Sequence, residues 1–200
     1  LDSSFDWSRV VVADALDIPG NNCVAMIERD VPLIATSKVM YIGEAVLMIA
    51  APTRELANEA KKHVNVTFEE LDPVLSIEDA KLAKIKIRNN DNIISQYTIT
   101  KGDISNGFEN ADLIVEGTYS AGHQEHMYIE TNGMIAYSND KGGYNIVGSL
   151  QCPYYVSAAI SNLMGVSEDK ISVRQATIGG AFGGKEDYPS ILAGYCVVLS

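Results

Sequence analysis

The 200-residue sequence is short of basic residues, of cysteine and of long apolar runs. Only 15 Lys and Arg stand against 26 Asp and Glu, for a net charge of −11. Binding to a phosphate backbone or an anionic membrane surface calls for the opposite sign, so nucleic acid and membrane are excluded as partners. No apolar run reaches the ~18 residues of a membrane span. The three cysteines, Cys23, Cys152 and Cys196, are odd in number and widely separated. They make no disulfide framework, and without a C-x-x-C pair they offer no zinc or iron–sulfur site of their own. They read as reduced, mostly buried thiols of a cytoplasmic protein. The opening "LDSSFDWSRV" lacks the blocks of a signal peptide. No initiator Met is present and the apolar "ILAGYCVVLS" has no stop signal after it, so a fragment of a longer chain is expected.

What is present is ordinary globular material, 46% hydrophobic and 20% charged, enough for one or two domains. "KVMYIGEAVLMIAA" predicts two strands around a turn at Gly43-Glu44. "PTRELANEAKKHV" predicts a helix, with Leu56, Ala57, Ala60 and His63-Val64 at helical spacing. "VNVTFEEL" alternates like a third strand, with Val64, Val66 and Phe68 on one face. The polar stretch after Asp79, with Asn-Asn-Asp and Gly-Asp turn signals, reads as a crossing linker. "DLIVEGTYS" predicts a strand, and "GMIAYSNDKGGYNIVGSL" a hairpin turning at Asn139 to Gly143. "PYYVSAAISNLMGV" predicts a helix whose stripe is Val156, Ala159, Ile160 and Leu163, stopped by Gly165. "DKISVRQATI" is a strand, and "YPSILAGYCVVL" begins a helix.

Between those last two elements lies "TIGGAFGGKED". From Gly179 to Glu186 it spells G-x-x-x-x-G-K-E, a P-loop with glutamate where Ser or Thr should hold Mg²⁺. A strand before it and a helix after it suit an anion. A carboxylate beside phosphates does not. The dinucleotide pattern also fails, because Ala181 occupies its middle glycine. A ligand-free tight turn stays open. "SAGHQEHMYIET" carries His123, Gln124, Glu125 and His126 in a row, which is not H-E-x-x-H; the histidines read as satisfied polar groups at a strand edge.

Taken in order, "GDISNGFENADLIVEGTYSAGHQEHMYIET", "SLQCPYYVSAAISNLMGV" and "KISVRQATIGGAFGGKE" resemble the molybdenum-binding part of the xanthine dehydrogenase and aldehyde oxidase family. "DIPGNN", "VMYIGEAVLMIAA" and "VNVTFEELDPVLSIEDA" resemble the small hammerhead-like α/β domain that precedes it. The resemblance implies an α+β fold: a hammerhead-like domain at 1–82, a linker at 83–111, and the start of a molybdopterin-binding α/β domain at 112–200. It implies hydroxylation of an N-heterocycle such as xanthine or hypoxanthine, with water as the oxygen source. Molybdenum is held by molybdopterin, with no direct protein ligand. Electrons pass to iron–sulfur clusters and FAD on other domains or subunits of an oligomeric holoenzyme. Gln124 falls on the glutamine that reaches the molybdenum oxo group, where an amide donor suits an oxo acceptor. Gly180, Ala181, Phe182 and Gly183 fall on the cofactor loop, with Phe182 and Gly183 presenting backbone to the metal. Ala181 replaces a glycine more usual there, which the loop tolerates unless that position needs positive φ. Glu186 falls on the glutamate that holds purine. The base glutamate and the substrate-facing arginine of the family have no position here, so these 200 residues alone are expected to be inactive and to retain no molybdopterin. Another heteroaromatic acid or an aldehyde as substrate, a noncatalytic assembly module, and a degenerate nucleotide binder remain open.

Overall fold

The computed structural model describes residues 1–24, 30–87 and 91–200. Asn89 and Asn90 of the Asn-Asn-Asp turn signal lie outside the described residues. The chain forms two compact units: Leu1–Val66 together with Glu125–Ser200, and Thr67–Gln124. No helix among the described residues is long and apolar enough to cross a membrane.

In the first unit, β1 (Val11–Ala13) pairs antiparallel with β2 (Met48–Ala50), matching Val11 to Ala50. α1 (Arg54–Lys62) follows. Thr53 accepts the Leu56 amide at its start, and Lys61 and Lys62 sit in its last turn, where cations suit the helix dipole. Its inward side is Leu56, Ala57 and Ala60, as the periodicity predicts. The turn at Gly43 also forms, with Gly43 at φ 98° and the Glu44 amide donating to Tyr41 O at 3.3 Å. Its first arm, Val39 to Ile42, is exposed and is no strand.

The larger sheet has the order β3–β4–β5. β3 (Met134–Asn139) and β4 (Gly143–Gly148) make the expected hairpin, Asn139 opposite Gly143. α4 (Pro153–Met164) crosses over to β5 (Ile171–Gln175), which lies parallel to β4 with Gly148 opposite Gln175. α4 starts on Pro153, whose missing N–H costs nothing in a first turn, and ends on Gly165 at φ 64°. α5 (Tyr188–Val198) closes the unit. Val156, Ala159, Ile160 and Leu163 of α4 are buried with Ala193 and Val197 of α5, Ile146 of β4 and Leu150. Ala13, Ile18, Val24, Leu33, Ile34 and Met48 join the same core.

In the second unit, α2 (Ile77–Leu82) and α3 (Ile104–Glu109) are capped by Ser76 and Asp103. α3 thus lies within the stretch expected to be a linker. Two expected strands do not form: 64–71 and 112–120 are outside secondary structure. Phe68, Leu113 and Val115 are exposed. The residue pattern marks a face that packs well in a sheet, but a strand also needs a neighbour for its N–H and C=O groups. Among the described residues β2 pairs only with β1.

Parallel pairing of β4 with β5 decides where the glycine loop goes. Both strands release their C-terminal ends at one edge of the sheet, and α4 and α5 both begin there. Segments after the two strands must therefore meet, which in open α/β sheets is where ligands bind. Leu163, near the far end of α4, is fully buried in the core that supports the sheet. Leu163→Ala in the full-length protein is expected to cost about 2–5 kcal/mol, read as a lowered midpoint of chemical denaturation.

Candidate functional site

The loop after β5 is built almost wholly from backbone. Gly180 and Gly183 have φ of 96° and 90°, conformations that a side chain disfavours. Phe182 also adopts the left-handed region, at φ 53°, and is 76% exposed. Ala181 is not among the positive-φ residues described and is buried, so the alanine meets the condition under which the loop tolerates it. Gly184 is needed for another reason: a Cβ there would stand 2.5 Å from the Tyr128 ring. The Gly184 amide donates to Ala181 O at 2.8 Å, which tightens the turn and pushes Phe182 outward.

The loop is held by a polar cluster that sequence reasoning missed. Lys185 is fully buried. Its ammonium donates to Glu130 Oε2 at 2.7 Å and to Ser149 Oγ at 3.0 Å, and lies 4.7 Å from the centre of the Tyr128 ring. The Ser149 hydroxyl donates to the same Glu130 oxygen at 2.6 Å, and the Gly179 amide donates to it at 2.9 Å. The Glu130 amide in turn donates to Gly179 O at 3.2 Å. Gln151 grips the other end: its side-chain oxygen accepts the Lys185 amide at 3.1 Å and its own amide donates to Lys185 O at 2.7 Å. Ser149 and Gln151 follow β4, and Lys185 follows β5, as the parallel pairing requires. The only sequence signal for this cluster was Lys185 itself, after a glycine pair.

These donors set the electrostatics. The Lys185 ammonium, then the Ser149 hydroxyl and the Gly179 amide, hold the Glu130 carboxyl down from 4.5 to about 2. A P-loop lysine must be free to reach phosphates, whereas this one is sealed in an ion pair. Together with glutamate at the Mg²⁺ position, that removes the nucleotide reading. Glu186 is exposed, and its Oε1 lies 3.9 Å from a Cβ built on Gly183. Burial, and then the charges of Glu186 and Asp187, push the Cys152 thiol up.

The loop thus brings together Gly180, Ala181, Phe182, Gly183 and Glu186. His126 borders it, with Nε2 3.8 Å from the Gly183 Cβ position. The strand edge expected for the histidines is absent: His123 and His126 lie exposed outside secondary structure, and the His126 amide donates to Glu125 Oε1 at 2.9 Å. Gln124 is the last residue of the Thr67–Gln124 unit and is exposed. Among the described residues no group of three or more His, Cys, Asp and Glu could hold a metal ion.

Comparison with known proteins gives a consistent result. The family model of the molybdopterin cofactor-binding domain matches residues 86–200, more than half of the chain. The large molybdopterin subunit of nicotinate dehydrogenase from Eubacterium barkeri is 33% identical over 92% of this chain and 45% of that protein. Rat (Rattus norvegicus) xanthine dehydrogenase/oxidase is 33% identical over 90% of this chain and 13% of that protein. Among solved structures, the aldehyde oxidoreductase from Desulfovibrio gigas superposes with a TM-score of 0.84 at 25% identity, over 96% of this chain and 23% of that one. The chain spans less than half the length of these relatives.

A depressed carboxylate pKa contributes stability above its unfolded value and loses it as pH falls through the folded value. The Glu130 contribution is therefore complete above about pH 4.5 and fades towards pH 2. Asp2, also lowered to about 2, fades over a similar range, so the Glu130 term needs a variant to isolate it. Thermal melts of wild type and Glu130→Gln should differ most near neutral pH and converge as the buffer is taken from pH 5 to pH 2.

Proposed function

The chain belongs to the molybdopterin cofactor-binding domain family of the xanthine dehydrogenase and aldehyde oxidase type, and from that premise we propose that it is part of a hydroxylase acting on an N-heterocycle, with a purine as the leading substrate. The observation that carries the reading is the outward turn at Phe182–Gly183 with the Glu186 carboxylate beside it. The residues present fit the cofactor. A glycine-rich backbone whose one large side chain is the exposed Phe182 admits close approach by a bulky group along its glycines, and a group held through a dithiolene needs no His or Cys from the protein. When bound, the cofactor supplies two-electron oxidation of a ring carbon with water as the oxygen source.

The remaining steps belong to the chain's own residues. Gly180, Ala181, Phe182 and Gly183 would hold the cofactor through main-chain contacts, and the free N–H groups of such a turn stabilise oxygen that gains negative charge. Gln124 would add an amide donor without adding charge. Glu186 would accept a ring N–H and orient the heterocycle towards the loop. The base glutamate lies on the remainder of the large subunit. Iron–sulfur and FAD domains or subunits carry the electrons away. In such an assembly residues 1–82 would form the hammerhead-like module, 83–111 the linker and 112–200 the start of the molybdopterin-binding module. The free thiols Cys23, Cys152 and Cys196 support a reducing compartment, the cytoplasm.

A second reading, hydroxylation of a heteroaromatic acid, is favoured by the likeness to the nicotinate dehydrogenase subunit. A substrate panel on the full-length holoenzyme separates the two. If purines are the substrate, Glu186→Gln is expected to lower kcat/KM for them by roughly 10- to 100-fold, the range for losing one hydrogen bond to a charged group. Unchanged purine turnover in that variant rules out the role of Glu186. Elemental analysis of the purified full-length protein should find about one molybdenum per chain; a folded protein that carries none is an assembly module instead.

A further inference from the structure

One oxygen atom closes the neck of the glycine loop. Glu130 Oε2 takes the Gly179 amide from the start of the loop and the Lys185 ammonium from its end. Between those anchors the only described main-chain hydrogen bond is internal to the loop, Gly184 to Ala181. The direction in which Phe182 and Gly183 point is therefore set at the neck. Lys185 is bound there through both its backbone and its ammonium. Its amide and carbonyl pair with Gln151, its ammonium pairs with Glu130 and Ser149, and its charge sits over the Tyr128 ring. The next residue is Glu186, so whatever holds Lys185 also aims that carboxylate.

A buried ammonium is costly unless fully compensated, and replacing such a pair with apolar groups often costs no stability. Stability alone does not call for this arrangement. A tight ionic clasp does give a single geometry to a loop of glycines that otherwise samples many. We propose that Lys185 is a positioning residue: its clasp on Glu130 and Ser149 fixes the aim of the Phe182–Gly183 backbone and of Glu186, and thereby the hold on the cofactor. The second half of that statement rests on the function proposed above.

The test uses the full-length protein as wild type, Lys185→Met, Glu130→Gln, Ser149→Ala and Leu163→Ala, the last a core variant remote from the loop. Two quantities are read: hydrogen–deuterium exchange of 179–187 in protein grown without molybdate, and molybdenum per folded chain after dialysis of the loaded enzyme. Lys185→Met should raise exchange across the loop about tenfold or more, the loss expected when a charge-assisted bond no longer closes a segment. It should also lower molybdenum per folded chain. Leu163→Ala should change neither quantity by as much, even where its melting temperature falls further. Loop exchange and metal content in Lys185→Met that match Leu163→Ala at equal loss of melting temperature overturn the proposal. Should Lys185→Met fail to fold, Glu130→Gln and Ser149→Ala decide by the same criterion, each removing a donor or acceptor while leaving the lysine stem in place. Wild type without molybdenum, together with a loop loosened in Lys185→Met, upholds the clasp and overturns the function proposed above.

Discussion

The geometry of the loop depends on one buried charge. Lys185 has no solvent contact, and its ammonium is satisfied by Glu130, Ser149 and the face of Tyr128. An unpaired ammonium there is costly by several kcal/mol, so the partners cannot drift apart without a penalty. That constraint ties a loop with almost no side chains to two places far away in sequence, the segment before β3 and the segment after β4. The glycines allow the loop its shape, and the ion pair selects one shape from those allowed.

The partners are in reach because of strand direction. β4 and β5 run parallel, so the chain leaving β4 through Ser149 and Gln151 and the chain leaving β5 into the loop emerge side by side. An antiparallel pairing would put those segments at opposite ends of the sheet. The core formed by α4, α5 and β4 holds the strands in place, and the loop joins β5 to α5. A binding surface made of main chain gains precision from such support, since it has few rotamers of its own to lock.

Local features were legible. The α4 stripe of Val156, Ala159, Ile160 and Leu163 is buried as the 3.6-residue period predicts, and Gly165 ends the helix in the left-handed region. The hairpin at Asn139–Gly143 and the helix from Arg54 also follow from nearby residues. The stretches 64–71 and 112–120 carry strand-like alternation and are not strands. Alternation describes what a face could pack against; it does not supply the hydrogen-bonding neighbour. Lys185 was visible in the sequence within a phosphate-like motif and both it and Glu130 within stretches that resemble the family, but nothing contiguous marked the two as partners.

The sequence by itself determined the glycine loop, the helix that follows it, the carboxylate at Glu186 and the likeness to molybdopterin-binding proteins, because each is written in contiguous residues. Tertiary structure alone decided that Lys185 turns inward to Glu130 rather than outward to an anion. The physical reason is desolvation: whether an ammonium meets water or a carboxylate depends on what the folded chain places around it, and the two residues that meet here are joined only through the sheet.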